Sequence, residues 1–211
     1  SLLKLGQPVR EDIPVAHKAK AGTVTMGGIG FVTAILVLGL ILIDVDLHPN
    51  YFALTVLTLA FALIGLADDL LKLLRRQNLG LTFWQKIVLQ VGAAAAFAIF
   101  LVLRGHNFTV AGFLAGGGLS DPYLYQFLVI FWIVGFANAT NLTDGLNGLL
   151  GGTAAIAFLF LAIFANKLHV TEATTFALIC SGVVFAFLYF NFPRAKVFMG
   201  DVGSLTLGAA L

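Results

Sequence analysis

The chain has 211 residues, of which 60% are hydrophobic and only 10% are charged. Soluble domains carry about 25% charged residues, and a soluble globule of this size could not cover so many apolar side chains with polar groups. The composition therefore excludes a soluble enzyme and a disordered chain. The near-balance of 12 basic against 10 acidic residues, without a dense basic patch, excludes a nucleic-acid binder. The single cysteine, Cys180, excludes a disulfide framework and a cysteine-based zinc site. A polytopic membrane protein remains, and its few charges are its most informative residues.

Apolar segments recur along the chain at about the length that a membrane-spanning helix needs, roughly 17–25 residues. Apolar residues lie on all sides of each segment, which excludes amphipathic surface helices. We predict an all-α transmembrane helix bundle in one domain over 1–211, with six complete spans and a truncated seventh that starts near Val202. Several segments are short, so we expect the helices to extend a few residues beyond them. The six complete segments are 27–43, 51–67, 87–103, 126–139, 149–165 and 175–190.

The basic residues are divided very unequally between the two sides that six spans define. One side carries ten Lys and Arg residues and the other carries two. Short loops rich in Lys and Arg remain in the cytoplasm, so we predict that the basic side is cytoplasmic. That side comprises 1–26, 68–86, 140–148 and 191–201.

Four unusually polar motifs all fall on this predicted cytoplasmic side, at helix ends or in the adjoining loops. The acidic residues of the other side stand in plain solvated loops. The shared placement predicts one cytoplasmic site. The motifs are AKAGTVTMGG at 19–28, ADDLLK at 67–72, NATNLTDGLNG at 138–148 and FNFPRAKVFMGDVGS at 190–204.

Asp68 and Asp69 end the apolar run FALIGLADD. Such a pair can simply mark the C-terminus of a helix, but acids there oppose the helix dipole, which favours a functional role. The side chains of adjacent helical residues point about 100° apart. We therefore expect that the two carboxylates do not easily chelate one ion together, and that one can face the bundle interior while the other faces the loop.

Asn138, Asn141 and Asp144 are spaced three residues apart, which places neighbouring pairs on nearly the same face of a helix. Asn138 lies just inside an apolar run, where an amide needs hydrogen-bond partners. The alternative is a polar helix end followed by a flexible turn. Asp201 lies just before the last apolar run, with a glycine close on either side. It is either a plain N-cap or an acid directed at a bound cation.

Asp68, Asp69, Asp144 and Asp201 thus share one side of the membrane. Such a cluster near hydrocarbon requires protonation, basic neighbours or a divalent cation. Oxygen ligands without cysteine or clustered histidine favour Mg²⁺ or Mn²⁺ over zinc. His17 is the one histidine on this side, and it is either solvated or a phosphate contact.

Basic residues and glycines accompany the acids. Lys18 and Lys20 precede a glycine-rich helix start, which can bind an anion or can be the positively charged flank of the first span. Further basic residues are mainly topology determinants, of which one or two could touch phosphates. Carboxylates suited to Mg²⁺, anion-binding groups and a bilayer setting together predict phosphoryl transfer to a membrane lipid. The further basic residues are Lys72, Arg75, Arg76 and Lys86.

Taken together, the four motifs resemble the polyprenyl-phosphate N-acetylhexosamine-1-phosphate transferase superfamily, and within it the phospho-N-acetylmuramoyl-pentapeptide transferase family. The strings GTVTMGG, NLTDGL and VFMGDVGS favour this family over the branch that uses UDP-N-acetylglucosamine. The resemblance implies an Mg²⁺-dependent, multi-pass enzyme of the bacterial plasma membrane, active at the cytoplasmic face in peptidoglycan synthesis. It implies that undecaprenyl phosphate attacks the β-phosphate of UDP-MurNAc-pentapeptide, which gives lipid I and UMP, and that the protein forms a homodimer.

The resemblance also implies roles for individual residues. Asp201 would be the metal ligand, and Asp68 and Asp69 would serve the lipid phosphate and the catalytic step. Thr25 would lie near the phosphates, and Phe198 would stack on the uracil. The remaining substrate-binding residues would be Lys20, Lys72, Arg76, Asn138, Asn141, Asp144 and Asn147.

Two positions depart from the family pattern. Val24 replaces a proline, which would fix φ, and Asn147 replaces the second aspartate of DGLDGL, which removes a charge beside the nucleotide pocket. We also expect the chain to lack the family's first span and its C-terminal part, including a histidine-rich loop. The alternatives are a sister transferase that uses UDP-N-acetylglucosamine, a truncated inactive form and, remotely, a non-catalytic transporter, which would place ionisable residues near mid-membrane.

Overall fold

The structure is a computed structural model, and it describes residues 25–42, 49–75, 77, 79–105 and 122–211. The described residues form seven helices, which match the seven predicted apolar segments one for one and confirm an all-helical bundle. Helices α1 to α7 are Gly28–Leu42, Pro49–Arg75, Phe83–Leu103, Pro122–Thr143, Leu149–Lys167, Thr171–Asn191 and Gly200–Ala210.

Five of these helices, α2 to α6, are long and apolar enough to cross a membrane. Helix α1 is apolar but has 15 residues, and α7 has 11. Many large apolar side chains face outward, for example Ile41 at 71% exposure and Leu103 at 80%. So much exposed apolar surface is unfavourable in water and is expected where lipid surrounds the protein. The bundle is therefore that of a multi-pass membrane protein.

Helix α2 is longer than its apolar run predicts. It continues to Arg75, so Asp68 and Asp69 lie inside the helix and not at its C-terminus, where the apolar pattern placed them. The last turn instead holds Lys72 and Arg75, whose charges suit the negative end of the helix dipole. Lys72 pairs with Asp68, one turn earlier, which stabilises the helix beyond its apolar part.

Helix α7 lies at the centre of the bundle, and its residues 202–209 are all buried. Its side chains belong to two apolar clusters. Val202 and Leu207 belong to a cluster with residues of α1, α2, α5 and α6, whereas Leu205 and Ala209 belong to a cluster with residues of α2, α3 and α4. Helix α7 thus joins the two halves of the bundle, and Asp201 in its first turn is held at their junction.

Gly65 allows α2 and α7 to approach closely. A Cβ atom at this position would meet the backbone of Asp201 and Val202. Because backbone atoms cannot move aside as a flexible side chain can, a larger residue at position 65 would displace the start of α7.

We expect Gly65→Ala to lower the free energy of unfolding by about 1–3 kcal/mol, the usual cost of overpacking a close contact. The matched control is Gly92→Ala in α3, where an added Cβ meets no heavy atom within 4 Å. That change should be neutral or slightly stabilising, since alanine favours helix over glycine. Thermal unfolding of both variants in one detergent measures the difference, and equal melting temperatures would contradict the close approach.

Candidate active site

Three aspartates from distant parts of the chain meet at one end of the bundle. Asp68 and Asp69 lie on α2 and Asp201 lies on α7, and one carboxylate oxygen of each is within 4.8 Å of the other two. Asp68 is 1% exposed and Asp69 is 5% exposed, so neither faces a solvated loop. The interpretation that one of the two faces the loop is therefore wrong, whereas the expectation that the pair does not easily chelate one ion together stays a prediction.

Each of the two neighbouring carboxylates uses one oxygen to hold a nearby backbone. The N–H of Leu81 donates to Asp68 Oδ1 at 2.9 Å, and the N–H of Val202 donates to Asp69 Oδ2 at 3.1 Å. Asp69 thereby binds the N-terminus of α7, where negative charge is favourable. Asp68 holds the loop between α2 and α3.

Two lysines place their ammonium groups among the three carboxylates. Lys72 Nζ lies 2.5 Å from Asp68 Oδ2, 3.1 Å from Asp201 Oδ2 and 3.8 Å from Asp69 Oδ1. Lys86 Nζ lies 2.7 Å from Asp201 Oδ2 and 3.3 Å from Asp68 Oδ1. We call these five side chains the charge cluster. When all five are ionised, three acids against two lysines leave a net charge of −1, which attracts a further cation.

Asp201 lies ahead of the apolar run of α7. Burial opposes its ionisation, but the positive charges of Lys72 and Lys86 outweigh burial and hold the pKa of Asp201 well below its usual range. Its Oδ1 accepts a hydrogen bond from Asn141 Nδ2 at 3.1 Å. Asp201 is therefore an ionised carboxylate at neutral pH whose two oxygens are both oriented, which suits a metal ligand.

The two asparagines of α4 face α3 and α7. Asn141 donates to Asp201 and, at 2.9 Å, to Ser204 Oγ. Asn138 donates to Gln90 Oε1 at 2.6 Å and to a carbonyl of its own helix at 2.7 Å. Both amide groups therefore use their hydrogens to brace the bundle and retain their oxygens for other contacts. Asn138 and Asn141 thus contact different helices, and Asp144 lies just beyond the end of α4, so a common face for all three stays a prediction.

Asp144 and Asn147 lie in the turn between α4 and α5. Asp144 is half-buried and is not one of the three carboxylates that come together, so the predicted convergence of four acids is confirmed for three. Asn147 Nδ2 lies 3.5 Å from the carbonyl of Pro193. This contact links the turn to the segment that precedes α7.

The segment 25–28 pairs with the residues that lead into α7. The N–H groups of Gly27 and Gly28 donate to the carbonyls of Phe198 and Met199, each at 2.8 Å. Thr25 and Phe198 are both half-buried and thus belong to two adjoining segments at the entry to α7. Several predicted residues lie outside the described part of the chain, namely Lys20 and Arg76 of the site, together with His17 and Val24.

A family model described as glycosyl transferase family 4 matches residues 51–211, which contain the whole charge cluster. The chain belongs to this family. Three relatives are each named phospho-N-acetylmuramoyl-pentapeptide-transferase. Those of Bacillus pumilus (strain SAFR-032) and Bacillus subtilis (strain 168) are 42% identical to the chain over 213 residues. That of Limosilactobacillus fermentum (strain NBRC 3956 / LMG 18251) is 43% identical over 211 residues.

These alignments cover 99% of the chain and 64–65% of each relative. The chain thus spans about 65% of the length of the relatives that it matches. The resemblance that the four motifs predict is confirmed.

Two polar residues of this glycosyl transferase family 4 chain were missed as parts of the site. Lys86 is one of the basic residues interpreted above as mainly topology determinants that could also touch phosphates, yet it lies in the first turn of α3, where a positive charge opposes the helix dipole. That unfavourable placement could have identified it. Gln90, one turn further along α3, is fully buried as the partner of Asn138, and no local pattern indicates this pairing.

Proposed function

We propose that this protein transfers phospho-N-acetylmuramoyl-pentapeptide from UDP-MurNAc-pentapeptide to undecaprenyl phosphate, giving lipid I and UMP. The observation that carries the proposal is the charge cluster, in which three carboxylates and two ammonium groups are gathered at one end of a membrane bundle. Such a cluster suits a reaction in which both reactants are phosphates. The names of the relatives support the choice of the sugar donor.

We assign Mg²⁺ to the charge cluster, with Asp201 as its ligand. The acidic donors are carboxylate oxygens, the hard ligands that Mg²⁺ and Mn²⁺ prefer. The ammonium groups of Lys72 and Lys86 lie against the same oxygens, which supports a role for the cluster in holding positive charge. When bound, the cation would neutralise the diphosphate and make UMP a better leaving group.

The charge-cluster lysines would hold the phosphates of the substrates. Lys72 and Lys86 both lie beside Asp201, and a phosphate oxygen can replace a carboxylate oxygen as the partner of an ammonium group. Asp68 and Asp69 would border the acceptor phosphate. Each keeps one oxygen on a backbone N–H, which fixes the direction of its other oxygen.

The transfer itself exchanges one bond for another. An oxygen of undecaprenyl phosphate forms a bond to the β-phosphorus of the donor, and the bond from that phosphorus to the oxygen of UMP breaks. Positioning and charge stabilisation supply most of the catalysis in such transfers. The rigid packing of α2 against α7 at Gly65 supports this kind of positioning.

The nucleotide would lie between the turn 144–148 and the segment 197–199, with Phe198 on the uracil and Asp144 and Asn147 beside it. Lys20, Thr25, Arg76, Asn138 and Asn141 would complete the substrate contacts. We place the site at the cytoplasmic face of the bacterial plasma membrane because ten of the 12 Lys and Arg residues lie on this side. A homodimer is expected from the family.

Purified full-length protein, reconstituted with undecaprenyl phosphate and Mg²⁺, should release UMP from UDP-MurNAc-pentapeptide and not from UDP-N-acetylglucosamine. Omitting the lipid or adding EDTA should stop the release. A coupled assay for UMP measures both donors under the same conditions. UMP release from UDP-N-acetylglucosamine alone would assign the sister reaction, and folded protein that releases UMP from neither donor would be an inactive form.

A further inference from the structure

Asn191, the last residue of α6, bridges the two loops between which the nucleotide is proposed to lie. It is 5% exposed. Its Oδ1 accepts a hydrogen bond from the N–H of Gly148 at 2.7 Å, and its Nδ2 donates to the carbonyl of Val197 at 2.9 Å. One buried amide thus connects the turn 144–148 to the residue that precedes Phe198.

The turn side of this bridge has little freedom to adjust. Gly148 has a φ of +75°, in the left-handed region that favours glycine, and an added Cβ atom would meet the ring of Phe192. The bond between Gly148 and Asn191 is itself buried, so without Asn191 the Gly148 N–H would lose its acceptor. The position of the turn therefore depends on the amide of Asn191.

The charge cluster is held by other contacts. The start of α7 is bound by Asp69 through the N–H of Val202, and Asp201 is bound by Asn141. A change at Asn191 therefore acts first on the two loops and not on the carboxylates. The two halves of the site can be perturbed separately.

We infer that Asn191 is a positioning residue for the nucleotide, because it sets the separation between the turn 144–148 and Phe198. The inference rests on the proposed function, since it requires a uridine nucleotide between these loops. Loss of the bridge weakens binding of UMP and raises KM for the UDP-linked donor. It leaves metal binding at the charge cluster nearly unchanged.

The test uses two variants of the full-length protein, Asn191→Ala and Asn191→Asp. Aspartate has the shape of asparagine and can still accept from Gly148, but it turns an oxygen instead of a donor toward Val197. UMP binding is measured by calorimetry, Mn²⁺ binding by electron paramagnetic resonance, and KM and kcat by UMP release. Asn166→Ala is the control, because Asn166 is an exposed asparagine at the far end of α5.

We expect both Asn191 variants to bind UMP about tenfold more weakly, as loss of a buried hydrogen bond implies, with an equal rise in KM. Their kcat and Mn²⁺ affinity should stay close to those of the parent, as should all properties of Asn166→Ala. If Asn191→Ala unfolds, the UMP and Mn²⁺ affinities of Asn191→Asp decide whether Asn191 has the positioning role. Unchanged UMP affinity, or an equal loss of UMP and Mn²⁺ binding, would overturn the positioning role. A parent that binds Mn²⁺ but not UMP would overturn the proposed function itself.

Discussion

Asp201→Asn should lower the rate of UMP release by about 100- to 1,000-fold, the range seen when a charge-stabilising group is removed from an active site. Asparagine has the size of aspartate and still offers an oxygen to Asn141, so the packing of α7 should survive. The variant loses the charge that pairs with Lys72 and Lys86, and the charge cluster becomes neutral. Mn²⁺ binding, followed by electron paramagnetic resonance, should therefore fall together with the rate.

The control for this variant is Glu172→Gln. Glu172 lies in the first turn of α6, about 28 Å along the helix from Asn191, so its charge is remote from the charge cluster. Its removal should leave both the rate and Mn²⁺ binding at the parental values, and the melting temperatures of all three proteins should agree. A near-normal rate for Asp201→Asn would refute the metal assignment.

The helices were predictable because long apolar segments favour helices that can span a bilayer. The end of α2 was not predictable in this way. Its last two turns are partly polar, and they are held by Lys72 on Asp68 and by the loop that Asp68 fixes through Leu81. The pattern of apolar residues in the sequence gives no information on these polar contacts.

The site was predictable in its composition but not in its geometry. The side of the membrane and the acidic character of the motifs identified Asp68, Asp69 and Asp201. Their convergence depends on the close approach of α7 to Gly65 and on the α7 N–H that binds Asp69. These are tertiary features, whereas helix periodicity alone indicates only that two adjacent aspartates do not easily chelate one ion together.

The difference between Lys86 and Asn191 shows which missed residues a sequence can reveal. Lys86 stands at the unfavourable end of a helix dipole, which is a local anomaly and can be recognised. Asn191 is an ordinary polar residue at the end of an apolar helix. Its importance lies in two partners, Gly148 and Val197, of which Gly148 is 43 residues away in the sequence.

Lys86→Met should strengthen binding of the metal cation but impair the reaction of the phosphate substrates. Methionine keeps an unbranched side chain but removes the ammonium group that lies 2.7 Å from Asp201 Oδ2. The net charge of the charge cluster then changes from −1 to −2, since three acids face one lysine. Mn²⁺ affinity in the absence of nucleotide should rise about tenfold, a part of the several kcal/mol that a unit charge exerts at this distance. Turnover should fall by about 10- to 100-fold, because the substrate phosphates lose a cationic partner.

The same variant tests whether Lys86 competes with the cation for Asp201 or instead holds the carboxylates in place for the cation. If Lys86 competes with the cation for Asp201, then UMP or pyrophosphate should tighten Mn²⁺ binding to the parent by drawing the ammonium group away. Mn²⁺ should tighten binding of those anions by the same factor. This coupling should be much smaller in Lys86→Met and intact in Lys167→Met, which changes a lysine at the far end of α5. Weaker Mn²⁺ binding to Lys86→Met would contradict the competition, and would mean that Lys86 holds the carboxylates in place for the metal.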